Sequence, residues 1–439
     1  MSFIRIIVLG FILIILLGTL LLCLPIATRE GQSTTIIDAF FTSGSATCVT
    51  GLIQYDTYTH WTVFGQAVIL VLIQIGGLGF VTVATFISFF IKRKITMRER
   101  GLIQEASNLP QVGGVVRLMR HVLIGVLFIE GTGAILLSFK FCPEMGLGRG
   151  IWNAVFHSVS AFCNAGFDLM GRFEAFSSLT RYENDVYVNV IIMMLIIVGG
   201  VGFFVWEDIQ TNKWRISKYK LHTKIVLVAT ACLILIPAVL FFIFERNASM
   251  ADYNFGESVL ASLFHSVTLR TAGFNTIDVS SITASTVLLS CMLMLIGGSP
   301  GSTAGGIKTT SFAVILLGTF AHIRRKKSIT VFNRRLDDDV FRKATSTLFI
   351  YLMLVCVATM AICCIESTAL DATLFEVFSA IGTVGVSTGI TTAIGTASKL
   401  ILVFLMFLGR IGGLSLVFAL GSPTATVQSQ MPVERISIG

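Results

Sequence analysis

Long apolar runs alternate along this 439-residue chain with shorter, mixed stretches. A bilayer span needs about 20 predominantly apolar residues. Runs of that size lie at 3–24, 62–92, 115–139, 186–206, 223–244, 283–320, 345–365 and 400–420, which predicts eight membrane helices. Between the members of each successive pair sits a segment too short to cross. These read FFTSGSATCVTGL, FHSVSAFCNAGF, FHSVTLRTAGF and FEVFSAIGTVGV. The middle two are near-copies. Their glycines, Gly51, Gly166, Gly273 and Gly385, lie 115, 107 and 112 residues apart. A fixed period of this kind marks internal repeats. The chain divides accordingly into units 1–92, 93–212, 213–327 and 328–439, the last with a short tail. Each unit reads helix, half-helix, extended segment, helix; in the first, the half-helix is expected over 38–46 and the extended stretch over 47–52.

Composition strengthens this picture. Mean hydropathy is +0.85, with 54% hydrophobic and 13% charged residues, against about 25% charged in soluble domains. The fold class is therefore all-α integral membrane, as four pseudo-symmetric helix–pore-loop–helix repeats around a central pore. A net charge of +8 raises nucleic acid as a partner, but twenty of the 32 Lys and Arg fall in 92–120, 213–224 and 324–343. Basic loops of this kind stay on the cytoplasmic side. Those segments are read as cytoplasmic, along with both termini, and as contacts for lipid headgroups or a protein partner; nucleic acid is excluded. The N-terminal run has no clean cleavage site and reads as an uncleaved helix. The nine Cys lack ligand spacing and read as small core residues.

A Gly-rich spot recurs in each second helix: 75–80, 198–203, 296–301 and 410–415. In units one, two and four it reads as helix packing. Unit three differs. Gly297, Gly298, Ser299, Pro300, Gly301, Ser302, Thr303, Ala304, Gly305 and Gly306 cannot continue a helix through lipid. Non-helical backbone at that depth survives only where protein buries it or water reaches it. A functional break is expected there.

Extended backbone within a membrane exposes carbonyls, and carbonyls around an axis can replace the water shell of a cation. Half-helices would aim negative C-terminal ends at that axis, and the glycines permit backbone angles closed to other residues. The expected lining is Cys48, Val49, Thr50 and Gly51; Cys163, Asn164, Ala165 and Gly166; Arg270, Thr271, Ala272 and Gly273; Gly382, Thr383, Val384 and Gly385. The cation would sit at backbone near the four glycines. Arg270 would block such a filter if it pointed inward, so it is expected behind it, paired with Glu376 or Asp38. His157 and His265 read as packing residues. Arg410, a charge inside the last helix, is functional by default; it is expected below the filter, bonded to the broken segment of unit three or setting a barrier, while Lys308 is expected to snorkel outward.

Taken together, FHSVSAFCNAGF, FHSVTLRTAGFNT, GGSPGSTAGGIKTT, TVGVSTGIT and the late GRIGG resemble the superfamily of potassium transporters that includes bacterial TrkH and KtrB, and the HKT proteins. Eight spans without two extra N-terminal helices are closer to KtrB, including relatives once described as sodium-ATPase subunit J. The resemblance implies K⁺ uptake through a four-part filter at the glycines, a gating loop at 297–306 and an arginine below the filter at Arg410. It also implies a homodimer on a cytoplasmic ring of nucleotide-binding KtrA-type subunits in a bacterial plasma membrane. No unit reads TVGYG, which leaves K⁺ against Na⁺ open. The chain has no nucleotide motif of its own, so ATP or ADP would act through the partner and no cofactor is expected here. Two other classes compete with this reading. An alternating-access, Na⁺-coupled carrier suits broken helices but not parallel fourfold repeats. Gly297–Gly301 spells G-x-S-x-G, yet a hydrolase elbow needs a strand–turn–helix context, so no enzyme is expected.

Overall fold

The computed structural model describes residues 3–29, 34–79, 115–326 and 328–412. Helices dominate, with one two-stranded hairpin. Unit one holds α1 (Phe3–Leu22), α2 (Ile36–Cys48) and α3 (Val63–Leu78). Unit two holds α4 (Val115–Met145), α5 (Leu147–Phe162), α6 (Val186–Val201) and α7 (Phe203–Asn212). Unit three holds α8 (Leu221–Glu245), α9 (Phe255–Thr268), α10 (Ala284–Leu295) and α11 (Thr309–Ile323). Unit four holds α12 (Asp338–Glu366), α13 (Leu370–Gly382) and α14 (Thr396–Ile411).

Among the described residues, four helices are long and apolar enough to cross a membrane: α1, α4, α8 and α12. The α6–α7 pair is apolar enough together but bent by 92°, as a broken span or a re-entrant pair is, and α3, α10 and α11 are shorter apolar helices. The short helices α2, α5, α9 and α13 form the centre, with long runs of fully buried residues such as Phe41, Phe156, Phe264 and Phe375. The long helices surround them. Their outer faces carry exposed Leu13, Leu20, Phe128, Phe139, Val239, Phe349 and Met360, side chains that water would not tolerate in such density and that lipid accommodates. This is a multi-pass membrane protein.

One device recurs where short helices meet long ones. Ser43 donates to Ile15 O at 2.7 Å, Ser158 to Glu130 O at 2.6 Å and Ser266 to Ile234 O at 2.7 Å. Three residues past each acceptor the long helix has Gly18, Gly133 or Pro237. A methyl at Gly133 would lie 2.5 Å from the Ser158 hydroxyl, and one at Gly18 would overlap Ser43. The glycine opens the space in which the serine reaches the carbonyl. Unit four has Val377 instead.

The expected straight spans at 62–92, 186–206 and 400–420 are corrected. Gly79, Gly202 and Gly412 adopt φ of +80°, +98° and +94°, and each follows directly on the end of its helix. Left-handed backbone is accessible to glycine and ends a helix. In unit two the chain then turns sharply into α7; the corresponding stretches after 79 and 412 lie outside the described residues, as does most of the basic segment 92–120. Packing is also real: Gly76, Gly199 and Gly409 press against the carbonyls of Thr47, Phe162 and Ile381. The basic segment 324–343 contains a hairpin pairing Thr330–Val331 with Arg334–Arg335. Phe332 and Asn333 turn it, both with positive φ, as a two-residue hairpin turn requires. All nine cysteines are free thiols; Cys48, Cys163 and Cys291 are buried, whereas Cys232, Cys356 and Cys364 are exposed and so are not core residues.

Candidate functional site

The central helices end in a shared way. Directly past α2 and α13, and two to three residues past α5 and α9, lies a left-handed residue that is not glycine: Val49 (φ 57°), Thr383 (53°), Asn164 (59°) and Thr271 (67°). Three of these are β-branched, for which such angles cost roughly 1–3 kcal/mol unless the surroundings impose them. Two residues on comes the glycine, at +92°, +70°, +87° and +92° for Gly51, Gly166, Gly273 and Gly385. The expected extended stretches therefore start late: Cys48 and Gly382 are still the last residues of α2 and α13.

Backbone bonds hold these turns. Thr50, Ala165 and Val384 each donate N–H to the carbonyl five residues back, all at 2.8 Å. In unit three Ala272 reaches Thr268 O, four back, because that segment is one residue shorter. Hydroxyls complete the support. Ser45 and Ser379 accept from Gly51 N and Gly385 N at 3.1 and 3.0 Å; Ser160 and Thr268 donate to Phe167 O and Phe274 O at 2.6 and 2.5 Å.

The four glycines meet. A methyl on Gly51 would lie 2.5 Å from Ala165 O, one on Gly166 2.8 Å from Ala272 O, and one on Gly273 2.6 Å from Val384 O. One on Gly385 would overlap Thr50 O. Each glycine thus backs onto the carbonyl preceding the next, and the cycle closes in chain order. What lies at this level is backbone from all four units.

Residues 296–308 fold beside it. Gly297 N donates to Ile307 O at 2.8 Å and Ile307 N to Leu295 O at 3.2 Å, which ties the loop's ends together. Its interior bonds to unit two: Ser299 N to Gly200 O at 2.9 Å, Thr303 N to Gly199 O at 3.3 Å, and Phe203 N to Gly301 O at 2.8 Å. The Thr303 hydroxyl donates to Phe162 O at 3.1 Å. Gly306 N reaches Gly409 O at 3.2 Å in unit four, and Gly305 lies flat against the Thr383 side chain. Ser299 and Thr309 share a hydroxyl bond of 2.9 Å.

Arg410 binds the loop to unit one. Its guanidinium donates to Thr303 O, to Gly76 O, and to Gly77 O at 2.8 Å. In the register set by Gly76, Gly199 and Gly409, Arg410 occupies the place held by Gly77 and Gly200. Lys308 departs from expectation. Rather than snorkelling, its Nζ turns back and donates to Ala304 O at 2.7 Å.

Other expected pairings are also corrected. Arg270 is buried but meets neither Glu376 nor Asp38. Asp38 takes Lys399 at 2.7 Å, with Thr35 and Tyr55 at 2.6 and 2.9 Å. Glu376 accepts from Ser387 and from Thr391 at 2.5 Å. Lys399 and local hydroxyls engage Asp38, and local hydroxyls engage one oxygen of Glu376, whose Oε2 has no partner. His157 is held by Asn153 O at 2.8 Å and Leu169 N at 3.4 Å, and His265 by Ser290 at 3.3 Å. One cluster has no forerunner in the sequence reading: Gln74 donates to Glu130 at 3.1 Å, and the Cys163 thiol lies 3.6 Å from Gln74 and 3.8 Å from Glu130. Glu130 stands alone in an apolar run, a signal of the kind that drew attention to Arg410.

A family model described as TrkH, cation transport protein, matches residues 4–425. The potassium/sodium uptake protein NtpJ of Enterococcus hirae is 40% identical, over 100% of this chain and 98% of that protein. The Ktr system potassium uptake protein B of Bacillus subtilis is 41% identical, over 94% and 92%. The solved potassium transporter TrkH from Vibrio parahaemolyticus superposes with a TM-score of 0.78 at 17% identity, over 96% of this chain and 86% of that one; this likeness speaks for the fold. The TrkH and Ktr proteins are ion transporters rather than enzymes, and the near-full-length relatives at 35–41% identity belong to the Ktr and NtpJ group. The chain is a KtrB-like member of the TrkH family of cation transport proteins.

Proposed function

We propose that this protein takes up K⁺ across a bacterial plasma membrane by channel-like permeation. The carrying observation is the cycle of four glycines backed by the carbonyls of Thr50, Ala165, Ala272 and Val384. Backbone oxygens grouped in this way replace hydration water around a bare monovalent cation, and four units in one chain supply the set. The filter comprises 48–51, 163–166, 270–273 and 382–385. The names of the relatives, potassium uptake and potassium/sodium uptake, point to the same class of cargo.

In this reading the chain crosses the membrane eight times as four repeats, 1–92, 93–212, 213–327 and 328–439, with both termini cytoplasmic. Loop 297–306 is the gate. Its bonds to units two and four, and through Arg410 to unit one, describe a closed arrangement. Arg410 holds it as a latch whose charge also opposes a cation below the filter. The working assembly is a homodimer on a KtrA-like ring that binds ATP or ADP and releases the loop.

Expression in a bacterium lacking K⁺ uptake tests the reading. With the cognate ring subunit present, growth at low K⁺ is restored and ⁸⁶Rb⁺ enters. Intact protein in the membrane, without uptake, would refute the assignment.

A further inference from the structure

One position behind the four convergent glycines is polar in every unit. Ser45, Ser160, Thr268 and Ser379 support the turns, and three residues before them stand Thr42, His157, His265 and Glu376. All four are buried, and they reach in different directions. Thr42 donates to Asp38 O of its own helix at 2.9 Å, and His265 lies 3.3 Å from Ser290 on α10. His157 and Glu376 instead hold the chain that leaves the convergence. Leu169 N, three residues past Gly166, donates to the His157 ring at 3.4 Å; Ser387, two residues past Gly385, donates to Glu376 Oε1.

Glu376 holds more than its own segment. Thr391 donates to the same Oε1 at 2.5 Å, and Ser387 Oγ accepts from Gly389 N at 2.8 Å. One carboxyl oxygen thus pins residues 387–391. The next carbonyl, Thr392 O, accepts from Gln54 Nε2 at 2.8 Å, and Gln54 lies three residues past Gly51. The stretches leaving Gly385 in unit four and Gly51 in unit one are therefore both fixed through Glu376. Gly385 also backs onto Thr50 O, so this is the seam where the last unit closes onto the first. Glu376 is 1% exposed, its Oε2 has no partner, and among the described residues no cation pairs with it. What the seam uses is an acceptor at a fixed place rather than a charge. Carbonyls in a filter select among cations by their positions and number.

We infer that Glu376 is a positioning residue that sets cation affinity and discrimination at the seam between units four and one. The inference rests on the transport reading above. In the full chain, Glu376→Leu keeps the size and removes the acceptor. It should raise the KM for ⁸⁶Rb⁺ uptake about tenfold, the order of effect of buried donors left without their partner, and let Na⁺ compete, while the maximal rate changes less. A merely structural role would lower protein level and maximal rate and leave KM in place. Glu376→Gln keeps an oxygen there and should restore KM and discrimination. The K⁺ concentration that half-saturates the rise in Tm in detergent should shift with KM, because a ligand stabilises the state that binds it. If Glu376→Leu fails to assemble, the double variant Ser387→Ala with Thr391→Val removes the donors instead and should give the same shift. Wild-type KM and discrimination in the variant that assembles, or a Gln variant as impaired as the Leu one, overturns the inference. A wild-type protein that carries no ⁸⁶Rb⁺ refutes the transport reading and leaves the Tm titration to judge Glu376; no stabilisation of the wild type by K⁺ overturns both.

Discussion

At the scale of single residues, backbone conformation carries more of the site than side-chain chemistry. Val49, Asn164, Thr271 and Thr383 share a left-handed φ yet have little in common as side chains. Composition therefore could not single them out, whereas the glycines two residues later stand out by recurrence. Gly273 shows what such a glycine does: φ is +87° and an added methyl would approach Val384 O to 2.6 Å. The left-handed angle alone costs an alanine about 1–2 kcal/mol, and the collision adds to it. Gly273→Ala should lower ⁸⁶Rb⁺ uptake at least tenfold and weaken K⁺ discrimination in Na⁺ competition; unchanged rate and discrimination would count against the ring. Arg410 makes three bonds to backbone carbonyls in units one and three. Arg410→Gln removes the charge and most of those donors, so flux without the ring subunit should rise severalfold. An equal or lower basal flux at equal protein level would contradict the latch.

Among elements, three of the central helices, α2, α5 and α9, are tied to a long helix by a serine hydroxyl, and α2, α5 and α13 rest on a close-packed glycine of the following helix. The Ser43, Ser158 and Ser266 bonds to long-helix carbonyls are buried, and removal of a buried donor costs about 1 kcal/mol. Ser158→Ala and Ser266→Ala should each lower the Tm in detergent by a few degrees while leaving K⁺ over Na⁺ preference intact; altered preference with unchanged Tm would reverse that assignment. At the start of α6, burial pushes the Asp185 carboxyl up, but Lys140 at 2.7 Å and the Val188 N–H outweigh it and hold it below the usual carboxylate range. A depressed carboxylate stabilises above its unfolded pKa and loses that contribution as pH falls through the folded value. Asp185→Asn should thus reduce stability slightly at pH 7, with the deficit shrinking as pH falls through and below the ordinary carboxylate range, as read by thermal melts across pH. A deficit that grows toward acid would show the sign to be wrong. The bend at Gly202 was not legible because the apolar run continues through Phe203, Phe204, Val205 and Trp206. Hydrophobicity reports burial, and here both sides of the turn are apolar.

For the whole molecule, the fourfold period was legible because it rests on spacing along the chain, and the structure gathers the four glycines that the spacing singled out. Motifs at 156–167, 264–274 and 297–308 carried the family likeness for the same reason. Pairings between units were not legible. Asp38 and Lys399 are 361 residues apart and meet because units one and four are neighbours in a closed cycle; no local pattern marks them as partners. Arg270 was expected to find a carboxylate, but Asp38 pairs with Lys399 and Glu376 bonds Ser387 and Thr391 through one oxygen. Loop 296–308 shows the division well. Its glycines and Pro300 announced a departure from helix, but its attachment to Gly199, Gly200, Gly409 and Arg410 is a property of the assembled units.

Crystals of the full chain with Rb⁺ in place of K⁺, scanned at the rubidium edge, test the central claim most directly. The account predicts anomalous density enclosed by the carbonyls of Thr50, Ala165, Ala272 and Val384, on the line where Gly51, Gly166, Gly273 and Gly385 converge. Rubidium ordered elsewhere in a protein that transports it, with none at that convergence, would contradict the account.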